Sequence, residues 1–164
     1  MNQTSTSREE RIIDRAKSQF PDQIKDAKID GSRRVTIIFD KDHLQEIAKW
    51  MRDILKLDHL IGIAGVDYPT HKKLEVLYLT GSFSNSENQD IIVTMKTELP
   101  RDTPTISSVV PIWESAHFHE REVFEMFGVK FEGHPDLRKL LTLDNWEGPP
   151  PMLKDIRFPE MGQR

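Results

Sequence analysis

The sequence predicts an α+β fold, in which helices pack on one face of a mixed β-sheet and a proline-rich extended C-terminal segment follows. Helical periodicity occurs before, within and after a cluster of strand-like runs, without the regular alternation of βαβ units. Eight of the ten prolines lie from position 100 onwards, so regular structure there should be short. We expect one domain over residues 1–143 and an extended docking tail over residues 144–164.

A helix and a β-hairpin are predicted at the start of the chain. Residues 8–20 carry apolar side chains at helical spacing, and Ser7 precedes them as the expected N-cap. Residues 27–39 contain the turn Gly31-Ser32 followed by a β-branched run, which is a pattern typical of a hairpin.

A second helix and three further strands follow the hairpin. Asp42 with Gln45 three residues later resembles a capping box, and an apolar stripe predicts a helix over residues 43–56. Polar turns separate the next strand-like runs, which cover residues 60–66, 74–79 and 90–99. Together with the hairpin, these runs would form a mixed sheet.

Four residues that share one face predict a short helix near position 120. Glu120, Val123, Phe124 and Phe127 fall at i, i+3, i+4 and i+7, and Gly128 follows where a left-handed C-cap is expected. The buried face of this helix therefore includes a carboxylate.

The charged residues of this helix are expected to be structural rather than catalytic. Glu120 could be held by free backbone N–H groups at a positive helix end, or by an arginine such as Arg138. Glu122 and Glu125 are predicted to share the outer face, where Arg121 and Glu125 would form an i, i+4 pair. No nucleophile or phosphate-binding glycine loop accompanies the carboxylates, so the pattern does not indicate acid–base catalysis.

Composition excludes several classes of function. The net charge of −4, from 23 basic and 27 acidic residues, argues against binding nucleic acid or an anionic lipid surface. The chain has no cysteine, so it lacks the usual thiolate ligands of iron–sulfur clusters, and any electron-transfer cofactors should belong to neighbouring proteins. The longest apolar run, residues 60–66, is far shorter than the roughly 18 residues that span a bilayer. The N-terminus lacks the pattern of a signal peptide, and we expect a cytoplasmic location.

A cluster of histidines and glutamates invites a metal site, which helical geometry disfavours. His117 and His119 would lie about 200° apart on a helix, whereas two helical ligands normally stand four residues apart. Solvated or interfacial histidines are the favoured interpretation. A free-standing metal-dependent enzyme that uses His119, Glu120, Glu122 and His134 stays open as the less favoured alternative.

The segments after the helix contain a turn, which needs no function of its own, and residues that could contact a partner. The run Gly133-His134-Pro135-Asp136 has the chemistry of a turn, and Arg138 and Lys139 after it could pair with acidic groups on a neighbour. Residues 144–164 contain four prolines and few core-type residues, and Trp146 is expected to anchor them. The tail is interpreted as an arm that a partner orders, with a frayed end as the alternative.

A family resemblance emerges from the runs Glu120–Gly128 and Gly133–Arg138. They resemble the pattern E-R-E-x-x-D-M-F-G, then G-H-P-D-L-R-R, which is typical of the 30 kDa-type C subunit of the complex I family and precedes a tryptophan or phenylalanine, E-G and prolines. The likeness covers roughly residues 60 to 157. Two positions depart from the pattern: Glu125 replaces the usual aspartate, and Pro149 begins a proline run where the family has H-P-L-R-K-D-Y-P.

The resemblance implies an accessory, cofactor-free subunit that is not catalytic alone, in the peripheral arm of a respiratory-chain translocase of the NADH:quinone oxidoreductase type. It implies packing against a large hydrogenase-like (D-type) subunit near the quinone site, together with a small iron–sulfur (B-type) subunit and a ferredoxin-like subunit. Iron–sulfur clusters and quinone are then expected on those partners, and the complex on the inner face of the cell membrane.

The resemblance leaves the electron donor open among NADH, a reduced deazaflavin and ferredoxin, and an energy-converting hydrogenase is the alternative complex. It assigns the following residues to the partner interface: Glu120, Arg121, Glu122, Glu125, Met126, Phe127, Gly128, Gly133, His134, Pro135, Asp136, Leu137, Arg138, Trp146, Glu147 and Gly148.

Overall fold

The computed structural model of the chain describes residues 7–142 and 146–156. Within these ranges the chain forms three α-helices and seven β-strands. The helices are α1 (Arg8–Gln19), α2 (Leu44–Asp53) and α3 (Ala116–Phe127). The strands are β1 (Ile24–Gly31), β2 (Arg34–Phe39), β3 (His59–Tyr68), β4 (Lys73–Gly81), β5 (Ile92–Pro100), β6 (Thr105–Ser107) and β7 (Lys130–Glu132).

Five of the strands form one mixed sheet in the order β1-β2-β5-β4-β3. The pair β2–β5 is parallel and the other neighbours are antiparallel, so the predicted α+β class with a mixed sheet is confirmed. The short strands β6 and β7 form a separate parallel pair that the sequence did not indicate.

One face of the sheet carries the core. Alternate residues of each central strand are buried there, and the buried sides of the helices join them in one apolar cluster, which confirms helices on a single face. The other face carries a row of ion pairs across β4 and β5, formed by Lys73, Glu75, Lys96 and Glu98. The core residues of the strands include Val35, Ile37, Phe39, Leu74, Val76, Tyr78, Val93, Met95 and Leu99.

The first helix begins as predicted. The Ser7 hydroxyl accepts a hydrogen bond from the Glu10 N–H at 3.1 Å, and the Glu10 carboxylate accepts one from the Ser7 N–H at 2.7 Å. This reciprocal capping box satisfies two N–H groups that the helix leaves without partners.

The capping box predicted at Asp42 is wrong. Residues Lys41–His43 form a 3₁₀ turn, and the Asp40 side chain accepts from the Asp42 N–H at 3.1 Å. Gln45 instead donates to the carbonyl of Ser108 at 2.8 Å. The cap lies two residues earlier because the 3₁₀ turn precedes α2 and takes up the positions that the pattern assigned to the helix.

The predicted hairpin forms with two changes. Its first strand begins at Ile24 rather than at residue 27, and bulges interrupt the pairing of β1 with β2. The turn residues are Ser32 and Arg33, one position later than expected. Gly31, with φ of 144°, ends β1, and Arg33 takes a left-handed conformation with φ of 62°.

The described part of the tail, residues 146–156, lies against the domain. The Met152 N–H donates to the Met126 carbonyl at 3.0 Å, at the C-terminal end of α3. The Lys154 N–H donates to the Asp67 carboxylate at 2.8 Å. Position 144, the proposed start of the tail, lies outside the described residues, so the division into domain and tail stays a prediction.

Candidate functional site

Helix α3 carries most of the sequence pattern and organises the site. It begins at Ala116, earlier than the predicted stripe, and ends at Phe127, and the following Gly128, with φ of 77°, is the expected left-handed cap. The Gly128 N–H donates to the Phe124 carbonyl at 2.8 Å, so the glycine closes the last turn.

The prediction that Glu120 is buried is confirmed, and the prediction that Arg138 holds it is wrong. Glu120 is 0% exposed, and its two oxygens accept from the Ser108 hydroxyl and the Val109 N–H, each at 2.6 Å. Arg138 instead bonds to Asp136 at 2.9 Å on the surface. Burial raises the pKa of Glu120 to about 7, although both hydrogen bonds act to lower it.

The surroundings of Glu120 favour its neutral form. The hydroxyl of Tyr78 is buried and has no hydrogen-bond partner among the described residues. Burial, and then the negative charge of Glu120, raise the pKa of Tyr78. The core side of α3 is therefore a place where a negative charge is costly.

The predicted ion pair between Arg121 and Glu125 does not form, and Glu125 is not on a solvated face. Both side chains are 6% exposed and bind the backbone of residues 138–142, which we call the clamped loop. Arg121 donates to the carbonyls of Arg138 and Lys139 at 3.0 and 2.9 Å. Glu125 accepts from the N–H groups of residues 140, 141 and 142 at 2.9, 2.8 and 2.6 Å.

The clamp is complementary in charge. The cation binds carbonyl oxygens and the anion binds N–H groups, so each ion meets the end of the peptide dipole that stabilises it. Burial acts to raise the pKa of Glu125, but hydrogen bonds from Thr142, Leu141 and Leu140 outweigh it and lower the pKa to about 2. Glu125 is consequently an anion at neutral pH.

The clamped loop exposes two leucines that the sequence reasoning missed. The exposed fractions of Leu140 and Leu141 are 37% and 62%, and Phe118 of α3 is 59% exposed. The guanidinium of Arg121 lies 5.8 Å from the centre of the Phe118 ring, so it joins the ring to the loop. A signal was present in the sequence: two adjacent leucines follow a basic pair without helical or strand periodicity.

The histidines of the pattern stabilise a turn. The rings of His117 and His134 stack with centres 4.7 Å apart. His134 Nδ1 accepts from the Asp136 N–H at 3.0 Å, and its Nε2 lies 3.0 Å from the His117 carbonyl oxygen, to which it donates in the tautomer that this arrangement requires. Gly133, with φ of 82°, provides the left-handed residue of this turn.

The alternative metal site of four residues is not formed. Glu120 points to Ser108, while His134 points to the start of α3. Glu122 is exposed. Within residues 7–142 and 146–156, no three histidine, aspartate or glutamate side chains are placed to bind one metal ion.

A shallow groove of about 270 Å³ runs between β3 and α3. Gly65 allows this close packing, because a Cβ atom there would stand 2.5 Å from a ring carbon of Phe127. Met152 of the tail borders the groove, so three separate segments meet at it. The groove is lined by Ile63, Ala64, Gly65, Glu122, Val123, Met126, Phe127 and Met152.

A buried ion pair holds the tail beside the groove. The Asp67 side chain is 0% exposed and bonds to Arg101 through both oxygens, at 2.7 and 3.0 Å. Arg101 also pairs with Asp155, and the Lys154 N–H donates to Asp67. The hydrogen bond from Arg101 and that from Lys154 lower the pKa of Asp67 against the effect of burial. Sequence reasoning did not single out Arg101, which lies 34 positions from Asp67.

Of the remaining predicted residues, Trp146 and Gly148 lie beside the C-terminal end of α3. Trp146, Gly148 and Pro150 border a second small depression together with Phe124 and Gly128. Trp146 donates from its ring N–H to the Pro149 carbonyl at 3.2 Å. Glu147 and Pro135 are exposed, and Leu137 packs against the core. The bonds described for Glu120, Arg121 and Glu125 are internal, so a partner role for these residues stays a prediction.

No helix in the part of the chain that the structure describes is both long enough and apolar enough to cross a membrane.

Comparison with known proteins identifies clear relatives. A family model described as the respiratory-chain NADH dehydrogenase 30 kDa subunit matches residues 37–161. The match begins well before residue 60, where the sequence resemblance began.

Two curated relatives illustrate the range of the family. The C subunit of the F420H2 dehydrogenase of Methanosarcina mazei is 35% identical over 154 residues, which are 93% of this chain and 95% of the relative. The C subunit of the NADH-quinone oxidoreductase of Chlorobium phaeobacteroides is 38% identical over 125 residues, which are 75% of this chain and 73% of the relative.

Solved structures share the fold. A trypsin-resistant fragment of Nqo5 superposes with a TM-score of 0.64 at 27% identity and covers 79% of this chain and 99% of the fragment. A chain of the membrane-bound sulfane sulfur reductase, an archaeal respiratory membrane complex, gives a TM-score of 0.76 at 24% identity and covers 90% of this chain and 85% of its own length. At 24% identity, the likeness to this second structure shows a shared fold and nothing about function.

Proposed function

Because this chain belongs to the family of the respiratory-chain NADH dehydrogenase 30 kDa subunit, we propose that it is an accessory subunit of a complex I-like oxidoreductase. Its task is to hold neighbouring subunits in register rather than to carry out a chemical step. The proposal includes the absence of a resident cofactor, with iron–sulfur clusters and quinone bound by the partner subunits.

The observation that carries this proposal is that the charged residues of the sequence pattern form hydrogen bonds within the chain. Arg121 and Glu125 are occupied by five hydrogen bonds to the clamped loop, and Glu120 is occupied by Ser108 and Val109. Charged groups whose hydrogen bonds are taken up by buried groups of the same chain are suited to fixing a surface and are poorly placed to exchange protons with a substrate. This use of the charged residues supports the proposed role as a scaffold.

We propose three partner subunits: a large hydrogenase-like (D-type) subunit, a small iron–sulfur (B-type) subunit and a ferredoxin-like subunit. The large one would contact the α3 region through the surface next to its quinone site, close to the terminal cluster of the small one. The complex would be attached to the cytoplasmic side of the cell membrane, with this chain as a peripheral member.

The proposal also specifies the electron donor of the complex. The relative that aligns over 93% of this chain is named for F420H2, a reduced deazaflavin. Other relatives of similar identity are named for NADH and quinone. We favour a deazaflavin donor for the present complex, because that relative also matches this chain in length, with 95% of it covered.

The test is purification of the tagged chain from native membranes, with mass spectrometry of the proteins that accompany it. The expected result is recovery of hydrogenase-like and iron–sulfur subunits in stoichiometric amounts, together with donor:quinone activity. Recovery of a nickel-containing hydrogenase among the partners would show that the complex is an energy-converting hydrogenase rather than a quinone reductase. A chain recovered alone from intact membranes would refute the proposed function.

A further inference from the structure

We propose that Phe118, Leu140 and Leu141 form a preorganised docking surface for an apolar pocket that is bordered by carboxylates on a partner protein of the complex. We call these three residues the leucine–phenylalanine patch. The inference rests on the proposed function, because it specifies through which surface an accessory subunit would bind its neighbour and what chemistry that neighbour presents.

The first argument is the rigidity of the backbone beneath the patch. Every residue from 138 to 142 contributes one backbone hydrogen bond to Arg121 or Glu125. Both charged side chains are nearly removed from water, and such charge-assisted bonds are stronger than neutral ones. A loop without regular secondary structure is thus held in one conformation before any partner arrives, which reduces the entropy lost on binding.

The second argument is the direction of the apolar side chains. A loop that is free to rearrange would turn leucines inward, yet the clamp leaves Leu141 at 62% exposure and Leu140 at 37%. Phe118 adds a ring that is 59% exposed and is joined to the loop through Arg121. Such side chains supply binding free energy when a partner removes them from water.

The third argument is charge. Between residues 137 and 142 the charged residues are Arg138 and Lys139, both basic, in a chain whose net charge is −4. The Arg138 side chain is 75% exposed, and its pairing with Asp136 is a surface ion pair, which is weak and open to exchange. On the loop side the patch is therefore bordered by Arg138 and by Lys139, which also binds the Trp146 carbonyl, whereas the exposed Glu122 lies one turn from Phe118 on α3. The complementary surface has an apolar pocket with carboxylates on the side that meets the loop.

A protein partner fits these observations better than a lipid surface. Recognition of anionic lipid generally needs clusters of about four to eight basic residues, and the loop offers two. A rigid display of three apolar side chains matches the central, well-packed contacts of protein interfaces.

The experiment compares tagged variants for retention in the membrane complex. Leu141→Ser and the double variant Leu140→Ser/Leu141→Ser are expected to lose retention about tenfold or more, while the thermal unfolding of the purified chain stays that of wild type. Glu125→Gln keeps the leucines but loosens the loop, and we expect an intermediate loss. Arg138→Glu should weaken retention and make the remaining binding less sensitive to salt.

The matched control is Ile54→Ser, because Ile54 is 50% exposed at the end of α2, away from the patch. It should be retained like wild type. Equal retention of the leucine variants and this control would overturn the inference while leaving the proposed function in place. Wild type that retains none of the other subunits would instead overturn the proposed function and the inference with it.

Two further outcomes would also overturn the inference. If the purified chain dimerises and Leu141→Ser abolishes the dimer, the patch binds a second copy. If wild type binds anionic vesicles and Leu141→Ser does not, the patch binds lipid.

Discussion

Two glutamates on the same helix, Glu120 and Glu125, are both buried and yet have opposite charge behaviour. The pKa of Glu120 is raised to about 7, and that of Glu125 is lowered to about 2. Glu120 faces the sheet and accepts from one hydroxyl and one N–H, whereas Glu125 faces the clamped loop and accepts from three N–H groups.

The depth of burial and the number of oriented donors together decide the state of a carboxyl group in this helix. Burial acts to raise both pKa values, but Glu120 lies deeper and has two donors, whereas Glu125 lies nearer the surface and has three. On the side of α3 that faces the sheet, Glu120 changes its charge near neutral pH. On the side that faces the clamped loop, Glu125 stays charged and holds the loop in place. Substitutions at the two glutamates and at their hydrogen-bond partners can test this contrast.

Removal of the Glu125 carboxylate should have the largest effect. Glu125→Ala leaves three N–H groups without their anion, and we expect the free energy of unfolding at neutral pH to fall by about 3 kcal/mol. Urea unfolding measures this change. Glu122→Ala is the control, since Glu122 is exposed on the same helix and should cost less than about 0.5 kcal/mol. A similar loss for both variants would mean that the clamp contributes nothing specific.

The stability of the chain should depend on pH in opposite directions at the two sites. The folded pKa of Glu120 is about 7 and its ordinary value is 4.5, so the folded state binds more protons and this group's contribution declines as pH rises between these values. Between about pH 5 and pH 8 the decline should be about 2 kcal/mol. The contribution of Glu125 is present above pH 4.5 and is lost as pH falls towards 2.

Urea unfolding of wild type and Glu120→Gln at about pH 5 and pH 8 isolates the first of these effects. The variant cannot ionise at this position, so the difference between the two pH values should shrink by about 2 kcal/mol. If Glu120→Gln keeps the full pH dependence of wild type, Glu120 does not titrate in this range.

Arg121→Lys should weaken the cationic half of the clamp. The guanidinium bonds two successive carbonyls through separate nitrogens, and an ammonium group lacks this planar geometry. We expect a loss of about 1 kcal/mol and faster amide hydrogen exchange at residues 140–142, with exchange in the sheet unchanged. Unchanged exchange in the loop would show that Glu125 fixes it without help.

The smallest change is expected from Ser108→Ala. It removes one of the two donors to Glu120, so the pKa of Glu120 should rise further and the pH-dependent decline in stability should shift upward. Stability at about pH 5 should change by less than about 1 kcal/mol, because the protonated carboxyl depends less on that donor. A shift to lower pH would contradict the assignment of donors.

The sequence predicted the side of α3 that faces the sheet and missed the side that faces the loop. Glu120 was expected to be buried because it shares the apolar stripe with Val123. Glu125 and Arg121 lie on another side of the helix, where the covering element is a loop with no periodicity of its own. The spacing of apolar residues shows which side of a helix packs on the core. It carries no information on which polar residues of the helix are covered by a loop.

Non-local contacts were the other limit. Arg138 was the natural counter-ion for Glu120 on charge alone, but the acceptor sites are filled by Ser108 and Val109, which precede the helix. A hydroxyl and an N–H group occur too often in a sequence to be assigned as partners without the fold. The helices, the central strands and the role of Gly128 were predictable, because each depends on neighbours within a few residues.

The described part of the tail is attached to the domain at several places along its length, which affects how it can be displaced. The segment from Trp146 to Lys154 is held at one end by Lys139, which binds the Trp146 carbonyl, and at the other by Asp67. When one contact opens, the other keeps the freed end nearby, so the lost contact re-forms at an effective concentration in the millimolar range. A competitor for this segment therefore has to hold one vacated contact open while the others break, so displacement of the segment is cooperative.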